Sequence, residues 1–110
     1  TFDVESLYSS IPTKEGLHAL KSMITDAFDD LLLNLGMTLS DLVLEYHFLE
    51  FNGTYWRQLK GIAMGSNFAI GYACVFLCFL EKLQEQTCKP EELIFYKRYI
   101  DDAFGLWTGT

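Results

Sequence analysis

The sequence predicts an α+β fold in which an antiparallel sheet is covered on one face by helices. Three observations support this: β-prone and helical stretches are mixed along the chain, the strands are arranged largely as hairpins, and the helical stretches carry apolar faces. Half of the 110 residues are hydrophobic and 15% are aromatic, which supplies a core and argues against disorder. The length is that of one domain or part of one.

The first half of the chain contains one strand and two helices. Residues 1–4 are expected to form a short, mostly buried strand, and a helix begins at Pro12–Thr13. One face of that helix is formed by Leu17, Leu20, Lys21, Ile24 and Phe28. Asn34–Gly36 is a stop signal, after which Thr38 or Ser40 can cap a second helix. The apolar face of this second helix is predicted to be Leu39, Leu42, Val43 and Tyr46.

The second half contains two hairpins around a long helix. Asn52–Gly53 is typical of a type I′ turn and predicts the first hairpin. A glycine-bracketed loop at 60–66 precedes a helix over 67–86, whose apolar run of 13 residues is shorter than the roughly 20 that a membrane span needs. Lys89–Pro90 ends this helix, and two strands follow with Asp101–Asp102 at the turn between them. The aromatic residues expected in the core are Phe68, Tyr72, Phe76 and Phe79.

Charge and cysteine content narrow the function classes. The 15 acidic and 8 basic side chains give a formal charge of −7, which argues against a simple nucleic-acid-binding module. Carboxylates that hold cations remain compatible with a phosphate-binding enzyme. Cys74, Cys78 and Cys88 lack a CxxC pair and favour reduced, structural thiols over zinc or a disulfide. Reduced thiols favour a reducing, intracellular setting, and no signal peptide is visible. The chain starts without methionine and ends at LWTGT, which suggests a segment of a longer protein.

Three aspartates form the candidate catalytic cluster. Asp101 and Asp102 adjoin each other between two β-prone stretches, and adjacent carboxylates repel unless a proton or cation lies between them. The alternative is a solvated turn, because exposed hairpin turns favour aspartate. Asp3 is the only charge in an apolar first strand, so it too requires a partner. If that strand lies beside the final hairpin, the three carboxylates converge on a site suited to Mg²⁺ and to two-metal nucleotidyl transfer.

Three blocks of the chain resemble the catalytic palm of reverse transcriptases, most closely that of Penelope-like retroelements. The blocks are DVESLYSSIP, FLEFNGTYWRQLKGIAMGS and FYKRYIDDAFGLW. The likeness spans residues 1–110 and implies a palm subdomain without its fingers and thumb. It implies an RNA-directed DNA polymerase that acts on an RNA template, a DNA primer and deoxynucleoside triphosphates. For a retroelement enzyme, the implied location is the nucleus.

The resemblance also assigns roles to single residues. Asp3, Asp101 and Asp102 match the catalytic aspartates that bind two Mg²⁺ ions, which Mn²⁺ can replace, and the Val4 carbonyl matches a further metal ligand. The positions that match nucleotide-binding residues are Ser6, Leu7, Tyr8, Met64, Gly65 and Ser66, with Tyr8 as the steric gate against a 2′-hydroxyl. Those beneath the primer end are Tyr99 and Ile100.

Basic residues near aromatics suit single-stranded nucleic acid and add candidates for primer or template contact. These are Trp56, Arg57, Lys60, Lys97 and Arg98, although a sheet-edge role suits Trp56 equally well.

Departures from the family pattern keep other functions open. Asn67 and Ile70 stand where many relatives carry proline, so a catalytically silent palm relic that binds nucleic acid or acts as a scaffold is the main alternative. An RNA-templated RNA polymerase would use the same aspartates, but a bulky Tyr8 favours deoxynucleotides. His18 and His47 have no nucleophile near them in sequence, which disfavours a hydrolase triad. No membrane partner is expected.

Overall fold

The computed structural model describes residues 1–62, 65–87 and 92–108, which form a mixed α+β fold. In chain order the elements are β1 (Phe2–Asp3), α1 (Leu7–Ser10), α2 (Thr13–Ile24), α3 (Asp30–Glu45), β2 (Phe48–Phe51), β3 (Thr54–Arg57), α4 (Ala69–Thr87), β4 (Leu93–Tyr99) and β5 (Asp102–Trp107). The α+β class is therefore confirmed. The four-residue α1 was not predicted, because so short a segment carries no helical periodicity.

The core lies where α2 and α4 pack together. Its buried side chains include Leu7, Ile11, Leu20, Leu44, Ile62, Tyr72 and Leu77. Gly16 in α2 is required at this contact, because a Cβ there would overlap the Tyr72 hydroxyl. Of the four aromatics predicted for the core, Tyr72 is fully buried and Phe68 stacks on it with a centroid distance of 5.2 Å. Phe76 is half-buried against the cluster, and Phe79 is half-buried against His18.

The predicted start of α3 was wrong. The helix begins at Asp30, with Asp29 as its N-cap accepting a hydrogen bond of 2.9 Å from the Leu32 N–H, and it runs through the expected stop at Asn34–Gly36. Thr38 and Ser40 are interior residues whose hydroxyls donate to carbonyls one turn earlier. A glycine inside a helix costs only about 1 kcal/mol, which the neighbouring leucines outweigh.

The predicted buried face of α3 was also wrong. Its buried residues are Leu33, Ser40 and Leu44. The residues expected to be buried are exposed instead: Leu39, Leu42, Val43 and Tyr46. Periodicity could not choose between two apolar stripes on a helix that is rich in leucine all round.

Among the described residues, the strands form two antiparallel sheets instead of the single predicted sheet. One has the order β1-β5-β4, and the other pairs β2 with β3. The β2–β3 hairpin turns at Asn52 and Gly53, both with positive φ, as predicted. The first strand was expected to be mostly buried, but Phe2 is 48% exposed and Asp3 is also exposed.

Within the described residues, no helix combines the length and hydropathy needed to cross a bilayer. Cys74 and Cys78 in α4 are free and half-buried, in line with structural thiols. Cys88 and the predicted helix end at Lys89–Pro90 lie outside the described residues.

Candidate metal centre

Asp3, Asp101 and Asp102 meet at one end of the three-stranded sheet. Asp3 lies directly opposite Asp102 in the antiparallel pairing of β1 with β5, and Asp101 lies in the turn that joins β4 to β5. The Val4 N–H donates a hydrogen bond of 2.9 Å to the Asp101 carbonyl, which fastens β1 to that turn. One carboxylate oxygen from each aspartate lies within 4.8 Å of the other two. The convergence expected from the sequence is therefore observed.

The three-aspartate cluster brings three negatively charged side chains together at one end of the sheet. Like charges directly opposite each other on paired strands are destabilising, and Asp3 and Asp102 occupy such a pair. Three carboxylates supply only hard oxygen ligands, which suits Mg²⁺ or Mn²⁺. The donor set therefore fits a divalent cation. Exposed carboxylate clusters also occur without a bound metal.

The turn that carries Asp101 has an unusual backbone. Ile100 has a φ of +56°, a region that β-branched residues rarely adopt. Its side chain packs against the edge of the core, and its carbonyl accepts a hydrogen bond of 3.0 Å from Arg98 Nη1. Backbone conformations of this kind persist only where the surroundings enforce them, and they concentrate at functional sites.

The exposed face of the three-stranded sheet surrounds the cluster with aromatic and basic groups. Because side chains alternate along strands, the pairings of Tyr99 with Asp102 and of Lys97 with Phe104 place all four on the face that carries Asp3. Tyr99 is 77% exposed. These residues line an open depression of about 670 Å³. A flat ring and an ammonium group beside carboxylates suit a nucleotide or a nucleic-acid strand.

The opposite face of the sheet is fixed to α4 by Arg98. Its guanidinium donates to Glu81 at 2.6 Å (Nε to Oε1) and 3.2 Å (Nη2 to Oε2), and only 10% of its side chain is exposed. The sequence offered Arg98 as a contact for the nucleic-acid backbone, and its burial in this pair contradicts that role. Lys97 on the outer face remains exposed.

Glu81 stays ionised within this network. Burial raises its pKa, but the hydrogen bonds from Arg98 and from the Tyr96 hydroxyl at 2.7 Å outweigh burial and leave the pKa below its usual value. Glu81 had no predicted role. Two features of the sequence point to the pair. Alternation along β4 puts Arg98 on the face opposite Lys97 and Tyr99, and Glu81 is the first acidic residue after the apolar run of α4.

Ser6, Leu7 and Tyr8 lie just after β1, beside the loop that precedes α4. Ser6 has a left-handed φ of +50°, Leu7 is buried, and Tyr8 is half-buried against the core. The Tyr8 carbonyl accepts a 2.6 Å hydrogen bond from the Ile62 N–H. Gly61 packs closely on this segment, because a Cβ at Gly61 would overlap the backbone of Tyr8 and Ser9.

The loop before α4 is described in part. Met64 lies outside the described residues, and Gly65 is exposed with a φ of +91°. The Ser66 hydroxyl accepts a hydrogen bond of 3.2 Å from the Phe68 N–H, and its carbonyl accepts one of 3.1 Å from the Ala69 N–H, so Ser66 stabilises the turn that leads into α4. Asn67 and Ile70, the two departures from the family pattern, are both exposed.

The remaining primer or template candidates are exposed but belong to other parts of the fold. Trp56 and Arg57 lie on β3 in the two-stranded sheet, and Lys60 follows it. Strand pairing does not bring them to the aspartates, whereas it does bring Tyr99 there.

Comparisons with known proteins leave the family of the chain undetermined. No protein-family model matches it, and neither the curated proteins nor the solved structures give a significant match.

Proposed function

We propose that the chain is the catalytic palm of an RNA-directed DNA polymerase, in which Asp3, Asp101 and Asp102 hold divalent cations. The observation that carries this proposal is the approach of one oxygen from each carboxylate to within 4.8 Å of the others, from two distant parts of the chain. Carboxylates this close repel one another, and bound cations would offset that repulsion.

The chemistry of such a centre is in-line transfer of a nucleotide to a primer hydroxyl. When bound, a pair of Mg²⁺ ions activates the attacking hydroxyl and neutralises the charge on the leaving pyrophosphate. The protein's own contribution is to hold three carboxylates at one sheet end, with the Val4 carbonyl, next to Asp3 in sequence, as a further oxygen ligand.

The neighbours of the cluster fit a primer terminus. Tyr99 and Ile100 belong to the strand and turn that carry Asp101, so a primer end seated on them lies next to the metal ligands. Lys97 on the same face offers a cation to the primer phosphates. The net charge of −7 is compatible with this role when bound cations supply the affinity for phosphate.

Tyr8 suits the role of a gate beside the sugar of the incoming nucleotide. Its backbone is held by Ile62 and packed on Gly61, so the ring stands on a fixed segment. Ser6 and Leu7 precede it and offer amides to the triphosphate. The family resemblance assigns Gly65 and Ser66 to the other side of the nucleotide, together with Met64, which lies outside the described residues.

Primer extension by the full-length protein tests the proposal. With an RNA template, a DNA primer and Mg²⁺, Asp3→Asn or Asp101→Asn should lower extension by at least about a hundredfold, because the metal supplies several kcal/mol and each 1.4 kcal/mol is a factor of ten. Asp26→Asn is the control, since it removes the same charge from an exposed turn after α2. Extension that survives in either active-site variant would refute the assignment. If the wild-type protein extends the primer with ribonucleoside triphosphates alone, an RNA polymerase is favoured instead.

A further inference from the structure

We propose that Arg98 and Glu81 are positioning residues that hold the Ile100–Asp101 turn in the conformation that brings the aspartates together. The role of this pair in metal binding rests on the proposed function, whereas its hold on the turn does not. The pair lies on the inner face of the sheet, and the carboxylates lie at its end and on its outer face.

Arg98 joins two elements through separate nitrogen atoms. Its Nε and Nη2 bind both oxygens of Glu81 on α4, and its Nη1 donates to the Ile100 carbonyl at 3.0 Å. Nη2 also lies 3.2 Å from the Cys78 sulfur. Because a guanidinium is planar and rigid, fixing one edge on Glu81 also fixes the direction of Nη1.

Both turn residues therefore have their carbonyls held from outside the turn. Arg98 holds the Ile100 carbonyl, and the Val4 N–H holds the Asp101 carbonyl at 2.9 Å. The first bond anchors the turn to α4, and the second anchors it to β1, the strand that carries Asp3. These two anchors explain how Ile100 keeps a φ of +56°.

A contact that only joined α4 to the sheet would not need the hydrogen bond from Arg98 to the Ile100 carbonyl. Tyr96 provides such a contact, because its hydroxyl donates to Glu81 at 2.7 Å from the same strand. Tyr96→Phe therefore removes one bond to Glu81 and leaves the link from Arg98 to the turn in place. Arg98→Lys keeps the charge, but a single ammonium group lacks the fork that spans Glu81 and Ile100.

Hydrogen exchange in the full-length protein compares these two variants. In Arg98→Lys, exchange of the Val4 amide should accelerate about tenfold relative to a core amide such as that of Leu20, because a loosened turn frees its partner. In Tyr96→Phe, the Val4 and Leu20 amides should change in parallel. If Arg98→Lys fails to fold, Glu81→Gln tests the same link, because it keeps the side-chain shape and weakens the hold on Arg98.

Mn²⁺ titration of the same variants gives the second readout. Loss of a supporting group typically weakens metal affinity by about 10–100-fold, so Arg98→Lys should raise the Mn²⁺ concentration for half-saturation by that factor and Tyr96→Phe should leave it unchanged. Equal effects of both variants on Val4 exchange would overturn the positioning role. If the wild-type protein binds no Mn²⁺ while Val4 exchange still separates the variants, the positioning role stands and the proposed function fails.

Discussion

At the residue scale, Tyr72 shows how closely packing in the core restricts the side chains around it. Its side chain is 2% exposed, and its hydroxyl is the buried side-chain polar atom without a hydrogen-bond partner among the described residues. Burial raises its pKa to about 12. Gly16 leaves room for the ring and hydroxyl but offers no side-chain partner. The sequence was sufficient to predict Tyr72 as a core residue, but an unpaired hydroxyl depends on which atoms face it across the helix contact.

Tyr72→Phe is expected to raise the free energy of unfolding by about 1 kcal/mol at neutral pH, because it removes an unpaired buried hydroxyl. The wild-type protein should also lose stability as the pH rises from 10 to about 12, since the unfolded tyrosine ionises before the buried one. The variant should lose less over that range. Tyr96, whose pKa is also raised to about 12, accounts for part of the remaining loss. Urea unfolding between pH 7 and 12 measures both effects.

The interpretation of Tyr72 fails if the Phe variant is less stable at neutral pH and loses stability in parallel with the wild-type protein at alkaline pH. That result would mean that the hydroxyl has a partner in solution.

At the scale of single elements, α3 depends on its first residues. Asp29 accepts from the Leu32 N–H at 2.9 Å, and Asp30 adds a negative charge to the first turn, where the helix dipole favours it. Asp29 is a typical N-cap residue, but Asn34 and Gly36 suggested that the helix starts later. The helix continues through them because their low helix propensity is small compared with the contribution of the neighbouring leucines.

Asp29→Ala should lower the free energy of unfolding by about 1 kcal/mol, because it leaves the Leu32 N–H without its capping partner. Asp29→Asn is the matched control: it removes the charge, keeps an oxygen acceptor and should cost only a few tenths of that amount. Thermal or urea unfolding of the two variants makes the comparison. Equal losses would show that charge rather than capping stabilises the start of α3.

For the whole molecule, the sequence predicted the site better than the arrangement of sheets. Asp101 and Asp102 adjoin each other in the sequence, whereas Asp3 reaches them through the long-range pairing of β1 with β5, which the sequence analysis stated as a condition. The β2–β3 hairpin forms its own sheet, and the sequence of the hairpin does not specify which strands its edges pair with. The Arg98–Glu81 pair likewise depends on how α4 lies across the sheet.

The central claim is that the three-aspartate cluster binds a divalent cation, and direct Mn²⁺ binding to the full-length protein tests it. Electron paramagnetic resonance of free Mn²⁺ during a titration gives the affinity of the wild-type protein, of Asp3→Asn and of the charge-matched control Asp26→Asn. We expect Asp3→Asn to weaken binding by more than about tenfold, because ligand charge and number set the affinity of oxygen sites, and Asp26→Asn to leave it unchanged. Equal affinities in all three proteins would contradict the account.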